Sequence, residues 1–360
     1  MNDNTTHNII VADSSNMSML DDESIDLIVT SPPYPMIEMW DKIFSDQNAD
    51  IKNDLEDGDG NRAFYRMHEI LNQVWTECDR VLKQNGFVCI NIGDATRTIN
   101  GEFRLYPNHV EVVNQFLKMG YSVLPDIHWR KQSNAPNKFM GSGMYPAGAY
   151  VTYEHEYILI FRKGGKRVFT GKEKELRQKS AYFWEERNAW FSDLWDIKGT
   201  SQTIAGTRPA RQRNASFPLE IPYRLINMYS ALGDVILDPF AGLGTTNIAC
   251  MISGRNSVGI DIDPEIAKLA LSNMDRNPES LNEVIYSRIR KHMEFIDSLP
   301  EEKKDKCYKN IPHGFYVKTK QETAIEISQL AAVKKNENNF ECRYDKCCQT
   351  EKNKQISMAL

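Results

Sequence analysis

Two short stretches of this 360-residue chain hold residue types whose spacing could do chemistry. The first, Leu237-Asp238-Pro239-Phe240-Ala241-Gly242-Leu243-Gly244-Thr245-Thr246, leaves an apolar run and opens a helical pattern. Glycines at a strand-to-helix turn let the backbone approach a ligand closely, and the helix N-terminus that follows offers unpaired N–H groups to its polar parts. Asp261 ends the next apolar run, Ser257-Val258-Gly259-Ile260-Asp261, where a carboxylate can accept both hydroxyls of a ribose. This is the pattern of a nucleoside-cofactor half-site. A dinucleotide fingerprint would need a third glycine where Asn247 stands, so NAD is the weaker reading, and a ligand-free glycine turn is a further alternative. The second stretch is Thr30-Ser31-Pro32-Pro33-Tyr34. Its prolines fix the backbone and cannot donate hydrogen bonds, while Tyr34 presents a flat face. Such a pocket suits an extruded planar base, with Ser31 and the Pro32 carbonyl accepting from an exocyclic amine and Tyr34 stacking on the ring. Alone, the tetrapeptide also reads as a loop or a peptide ligand.

Together the two stretches resemble the S-adenosylmethionine-dependent DNA amino-methyltransferases, whose catalytic motif is (Ser/Asp/Asn)-Pro-Pro-(Tyr/Phe) and whose cofactor motif is Asp-Pro-Phe-x-Gly-x-Gly-Thr. The catalytic motif comes first here, which resembles the circularly permuted β group of that family, and the resemblance covers about residues 8 to 275. It implies that Ser31, Pro32, Pro33 and Tyr34 are catalytic and that Asp238, Pro239, Phe240, Gly242, Gly244, Thr245 and Asp261 bind the cofactor. It adds Asp13, where the family places an acidic residue near the adenine, and Phe217 and Pro218, in the segment that closes over the methionine end. His128-Trp129-Arg130-Lys131 and Tyr157 to Lys163 resemble the late strand pair beside which a target-recognition region is inserted. Serine in the first catalytic position mostly accompanies cytosine N4 in this family, and aspartate or asparagine mostly adenine N6. The implied activity is therefore cytosine-N4 methylation of duplex DNA, protecting it from a cognate restriction endonuclease with no stable complex between them. Adenine N6 is the alternative with the same chemistry; a non-catalytic DNA-binding protein that holds S-adenosylmethionine is the alternative from another class. Cytosine C5 chemistry would need a cysteine nucleophile, usually after proline, and the chain has no Pro-Cys pair.

The elements that must position these residues follow from the hydrophobic pattern. Asn8 to Asp13, Ser24 to Thr30, Phe87 to Ile92, Tyr121 to Arg130, Tyr157 to Arg162, Asp234 to Leu237 and Ser257 to Ile262 read as strands. Helical spacing runs from Ala63 to Leu82, with Gly86 as its stop, and again over 109–119, 218–230, 245–253 and 264–274. The acidic, aperiodic stretch from Asp46 to Asn61 reads as a mobile surface loop. Strands alternating with helices predict an α/β, Rossmann-like methyltransferase fold with a mainly parallel, doubly wound sheet. The expected division is 1–163 for the catalytic half, 164–213 for target recognition, 214–278 for the cofactor-binding half and 279–360 for a C-terminal extension.

Net charge is -5, yet His128 to Arg213 holds sixteen Lys and Arg against eight Asp and Glu, so a local polyanion-facing surface is expected on an acidic protein. Arg162, Lys163, Lys166, Arg167, Arg208, Arg211 and Arg213 are its candidate phosphate contacts. Trp184, Trp190 and Trp195 suit the core of that insert or base stacking equally. With 41% apolar residues the chain can bury a sizeable core, and no stretch approaches the roughly 18 apolar residues of a membrane span. No basic and apolar signal sequence opens it, and a cytoplasmic monomer or weak dimer in a bacterial or archaeal cell is expected. Cys307, Cys342, Cys347 and Cys348 lack paired knuckle spacing, so no metal site is expected and they read as thiols on a surface extension.

Overall fold

The computed structural model describes residues 4–131, 140–199 and 217–347. Ten strands form its main sheet: β1 (Asn4–Val11), β2 (Ile25–Thr30), β3 (Leu82–Ile92), β4 (Ser122–Arg130), β5 (His155–Arg162), β6 (Leu194–Asp196), β7 (Val235–Asp238), β8 (Asn256–Asp261), β9 (Ser328–Lys335) and β10 (Asn339–Lys346). They lie in the order β6-β4-β5-β3-β2-β7-β8-β1-β10-β9. The five central strands from β3 to β1 are parallel, β5 is antiparallel to β3 and β4, and the β9–β10 hairpin joins antiparallel to β1. Every residue of β2 is buried, as a strand covered on both faces requires.

The longer helices are α1 (Asp41–Gln47), α2 (Ala49–Glu56), α3 (Gly60–Val81), α4 (Asn108–Lys118), α5 (Gly171–Lys179), α6 (Trp184–Trp190), α7 (Glu220–Tyr229), α8 (Thr245–Ser253), α9 (Pro264–Met274) and α10 (Pro278–Asp297). Alternation along β2 sorts them: Leu27 and Val29 belong to an apolar cluster with Ile221 of α7 and Ile248 of α8, while Ile28 belongs to one with Met67 and Trp75 of α3 and Phe116 of α4. Strands β2 and β7, distant in sequence, pair at Leu27↔Ile236 and Ile28↔Leu237. The chain leaves β2 toward β3 and β7 toward β8, so the connections diverge at this seam, where open α/β sheets place their ligands.

The structure corrects the expected loop and the expected helix stop. Asp46 to Asn61 is largely helical: Asn48 caps α2 through its side chain, Asp59 caps α3, and Asp54 is buried within ion-pair distance of Arg62 and Arg66. Ile51 is the single deep apolar anchor of that stretch, too little to register as a period. Helix α3 stops at Val81, before Gly86, because the chain turns straight into β3, whose register against β2 jumps from Ile25↔Leu82 to Leu27↔Phe87. Within the stretch expected to be the target-recognition region, the described residues 164–199 pack on the sheet: β6 pairs with β4, and Phe183, Trp190 and Trp195 share one apolar cluster with it. Those tryptophans therefore serve packing.

Residues beyond 278 are equally integrated. Arg288 of α10 makes a bidentate pair with Glu186 of α6 at 2.6 and 2.8 Å, and His292 stacks on Phe183 at 3.7 Å. Cys342 and Cys347 are buried rather than on a surface extension. Among the described residues, no group of three or more His, Cys, Asp or Glu could hold a metal ion, and no helix is long and apolar enough to cross a membrane.

Candidate active site

Asp238 closes the seam between β2 and β7. Its Oδ1 accepts from Thr30 Oγ1 at 2.6 Å and from the Phe240 amide at 3.1 Å, and its Oδ2 accepts from Thr246 Oγ1 at 2.6 Å. Burial pushes its carboxyl up to about 6 in spite of these bonds. With both oxygens engaged inside the fold, Asp238 ties the two motifs to each other. Beyond it, Gly242 and Gly244 have φ of 51° and 75°, a region costly for a residue with a Cβ. A Cβ on Gly242 would meet only Phe240 O, at 3.9 Å, so its missing side chain leaves open cavity.

Asp261 faces that opening. Its Oδ2 accepts from the Gly242 amide at 3.0 Å and its Oδ1 from the Asp263 amide at 2.9 Å, and each oxygen keeps a lone pair for a further donor. Burial, outweighing these two bonds, pushes its carboxyl up to about 6. Asn247, in the place of a third glycine, is buried and donates to Ser257 Oγ at 3.0 Å, a packing role.

One cavity is lined by Ser31, Pro32, Pro33 and Tyr34 together with Asp13, Phe217, Asp238, Pro239, Phe240, Gly242, Thr245 and Asp261. Of the residues expected at the two half-sites, Gly244 and Pro218 stand behind the lining: Gly244 is the N-cap of α8, and Pro218 O accepts from the Ile221 amide at 3.0 Å. Sequence reasoning missed the wall that Trp40, Ile43 and Phe44 of the α1 region and Ile70, Leu71 and Val74 of α3 contribute. It also missed the polar groups behind the catalytic motif. Tyr34 Oη donates to Glu156 Oε2 at 2.9 Å, Asn91 Nδ2 donates to both at 2.8 and 2.7 Å, and Lys131 Nζ pairs with Glu156 Oε1. Burial, then the Glu156 charge, hold the Tyr34 phenol protonated well above its ordinary range. A sequence signal existed for Asn91, the one polar residue in the buried run Phe87 to Ile92.

Beneath the motif, Asn108 is wholly buried at the start of α4 and donates to Pro35 O at 3.0 Å and Gly93 O at 2.9 Å. His68 is hydrogen-bonded to Asn108 Oδ1 at 3.0 Å. His68 thus supports the catalytic loop, beyond the packing role its helix position suggests.

The candidate phosphate contacts are mostly elsewhere. Strand β5 runs antiparallel to β3, so Glu156, its second residue, lies at the catalytic edge and Arg162 ends it roughly 20 Å away, at about 3.3 Å per residue. Lys163 Nζ donates to Asp79 O and Leu82 O, clamping the start of β3, and Arg167 makes a bidentate pair with Asp234 at 2.7 and 3.0 Å. These partners engage both cations at the sheet edge opposite Tyr34. Arg162 Nε donates to Gly164 O at that same edge, and Lys166 is exposed in the loop that follows. Arg208, Arg211 and Arg213 lie outside the described residues.

Residues 25–272 match a family model described as DNA methylase, of the N6/N4 type. The chain is 52% identical over 344 residues to the Type II methyltransferase M.MthZI of Methanothermobacter thermautotrophicus, covering 94% of this chain and 95% of that one. It is 49% identical over 273 residues to the Type II methyltransferase M.MjaI of Methanocaldococcus jannaschii, covering 73% and 89%. Among solved structures it is similar to a DNA modification methylase of Thermus thermophilus in complex with S-adenosyl-L-methionine, with a TM-score of 0.55, 32% identity, and coverage of 74% of this chain and 93% of that one.

Proposed function

This chain belongs to the N6/N4 DNA methylase family, S-adenosyl-L-methionine-dependent enzymes of DNA modification, and from that premise we propose that it methylates N4 of cytosine in duplex DNA. The observation that carries this reading is the shared cavity: the motif suited to a base amine and the motif suited to a nucleoside line one space. The neighbouring Type II methyltransferases support a role in protecting DNA from a cognate endonuclease. Serine at the head of the catalytic motif favours cytosine over adenine, whose enzymes mostly carry Asp or Asn there.

The residues fit the cofactor. Gly242 leaves a cradle that a Cβ would narrow, Asp261 offers two acceptors suited to ribose hydroxyls, and Asp13 is exposed on the rim beside Ser14, whose Oγ donates to Pro239 O at 2.6 Å. When bound, S-adenosyl-L-methionine supplies an electrophilic sulfonium methyl. The chain's own task is to seat the base and aim its amine. That amine's lone pair is delocalised into the ring, so acceptors on its N–H groups favour the pyramidal nitrogen of the transition state. Ser31 Oγ and the Pro32 carbonyl are the acceptors, Tyr34 stacks on the ring, and the aromatic and aliphatic wall from α1 and α3 excludes water. By holding the amine nitrogen in line with the position the methyl would take, these residues would supply much of the rate.

Asp261 must be ionised to accept at both oxygens. Its carboxyl, raised to about 6, holds a proton below that pH and loses it above, so cofactor affinity rises with pH through this window. Calorimetric titration should show the dissociation constant about tenfold weaker at pH 5 than at pH 7, because binding is diluted by the ionised fraction. The same comparison on Asp261→Asn should be flat. Digestion of methylated mixed-sequence DNA to nucleosides, with mass spectrometry, tests the base: N4-methylcytosine supports the reading, and N6-methyladenine transfers it to the other amine.

A further inference from the structure

The polar groups behind Ser31 form one chain of hydrogen bonds, and we propose that Glu156 is a positioning residue that, through Tyr34, turns the Ser31 hydroxyl so that its lone pairs meet the substrate amine. This rests on the reading that Ser31 receives that amine. The proton directions follow from what each group can do. Glu156 Oε1 pairs with the Lys131 ammonium, which also lies 4.5 Å over the Trp129 ring, so Glu156 is a carboxylate that only accepts. Its Oε2 therefore takes the one proton of Tyr34 Oη, 2.9 Å away. Asn91 Nδ2 only donates, and its two short contacts, 2.8 Å to Tyr34 Oη and 2.7 Å to Glu156 Oε2, use both its protons. Ser31 Oγ lies 3.0 Å from Tyr34 Oη, which has no proton left to give, so Ser31 donates to it.

Ser31 is then fixed as a donor inward and an acceptor outward. Its remaining neighbour in this group, Asn91 Nδ2 at 3.4 Å, is too distant to claim a lone pair strongly, and the cavity that Ser31 lines is where they are open. A serine hydroxyl free to rotate would present its proton to the amine in part of the population, donor against donor. The buried carboxylate two hydrogen bonds away removes that orientation.

Glu156→Gln reverses the chain. The amide oxygen must face the Lys131 ammonium, so the amide nitrogen faces Tyr34, and the Asn91 Oδ1, buried and without a hydrogen-bond partner among the described residues, can rotate to meet it. Tyr34 has then lost its carboxylate acceptor and shares its proton between the rotated Asn91 Oδ1 and Ser31 Oγ, and where Ser31 accepts it the serine proton is driven toward the amine. Tyr34→Phe keeps the ring and cuts the chain, so it should rescue the reversal. Single-turnover methyl transfer should fall about 100-fold in E156Q, about tenfold in Y34F, and about tenfold in E156Q/Y34F, with the dissociation constant for S-adenosyl-L-methionine unchanged in all three. Losses that multiply to about 1,000-fold in the pair, or a wild-type rate in E156Q, would overturn the proposal. Should E156Q fail to bind cofactor, Glu156→Asp and Glu156→Asn replace it: Asp, which keeps the accepting charge, should be about tenfold faster than Asn, and equal rates would count against the proposal. The rates are read on whichever base the wild-type enzyme methylates, so a wrong base assignment changes the product's identity and not the coupling.

Discussion

Tyr34→Ala should lower methyl transfer about 1,000-fold and leave the affinity for S-adenosyl-L-methionine within about twofold of wild type. The magnitude has two sources. Stacking of a base on an aromatic ring is worth about 1–3 kcal/mol. Removing the hydroxyl that orients Ser31 adds about 1.4 kcal/mol, the factor of ten expected of Tyr34→Phe, so the sum reaches about 1,000-fold. The cofactor is spared because Asp261, Gly242 and the Asp238 lock to Thr30 and Thr246 are independent of the Tyr34 side chain. Equilibrium titration of cofactor beside single-turnover transfer reads both quantities. A cofactor dissociation constant that rises with the loss of rate would place Tyr34 in the wrong half of the site.

Asp261→Ala should do the opposite, weakening cofactor binding about 100- to 1,000-fold, with the rate at saturating cofactor within about threefold of wild type. Two hydrogen bonds to an ionised acceptor, each at the lower end of about 1.5–3 kcal/mol, lose about 3–4 kcal/mol together, which sets that range. The substitution also strips an acceptor from the Gly242 and Asp263 amides, so the glycine turn loses part of its fixing. Asp261→Asn separates the effects, since it keeps an oxygen for one amide and gives up the charge. A rate defect that survives saturating cofactor would mean that Asp261 acts on the base rather than on the nucleoside.

The local chemistry was legible in the sequence because it depends on short runs. Helices 245–253 and 264–274 stand where the glycine turn and the Asp263-Pro264 start put them, and the two motifs meet because parallel strands with their C-terminal ends on one edge bring them together. What was not legible depends on pairings across long stretches of chain. Glu156 and Lys131 look like ordinary polar residues at strand ends until antiparallel β4 and β5 place them behind Tyr34. The same holds for Lys163 and Arg167, expected phosphate contacts, which the direction of β5 carries to the far edge, against the Asp79 carbonyl and the Asp234 carboxylate. The hydrophilic C-terminal residues hide a sheet hairpin, because β10 buries only alternate residues and α10 packs on β9 with a narrow apolar stripe, its Asn282 bonded to Leu330. Asp46 to Asn61 escaped because its helices are short and held by caps and ion pairs rather than by an apolar face.

In the proposed reaction Ser31, in the cavity shared with Asp261, receives the amine during transfer. The most direct measurement is single-turnover transfer of the methyl group from radiolabelled S-adenosyl-L-methionine, already bound to the enzyme, into mixed-sequence duplex DNA by wild type and Ser31→Ala. Loss of one acceptor worth about 2 kcal/mol at the reacting centre predicts a rate about 30-fold slower in the variant, with label bound to the protein to the same extent. Transfer by Ser31→Ala at the wild-type rate would contradict this role of Ser31 and move the amine to another part of the cavity.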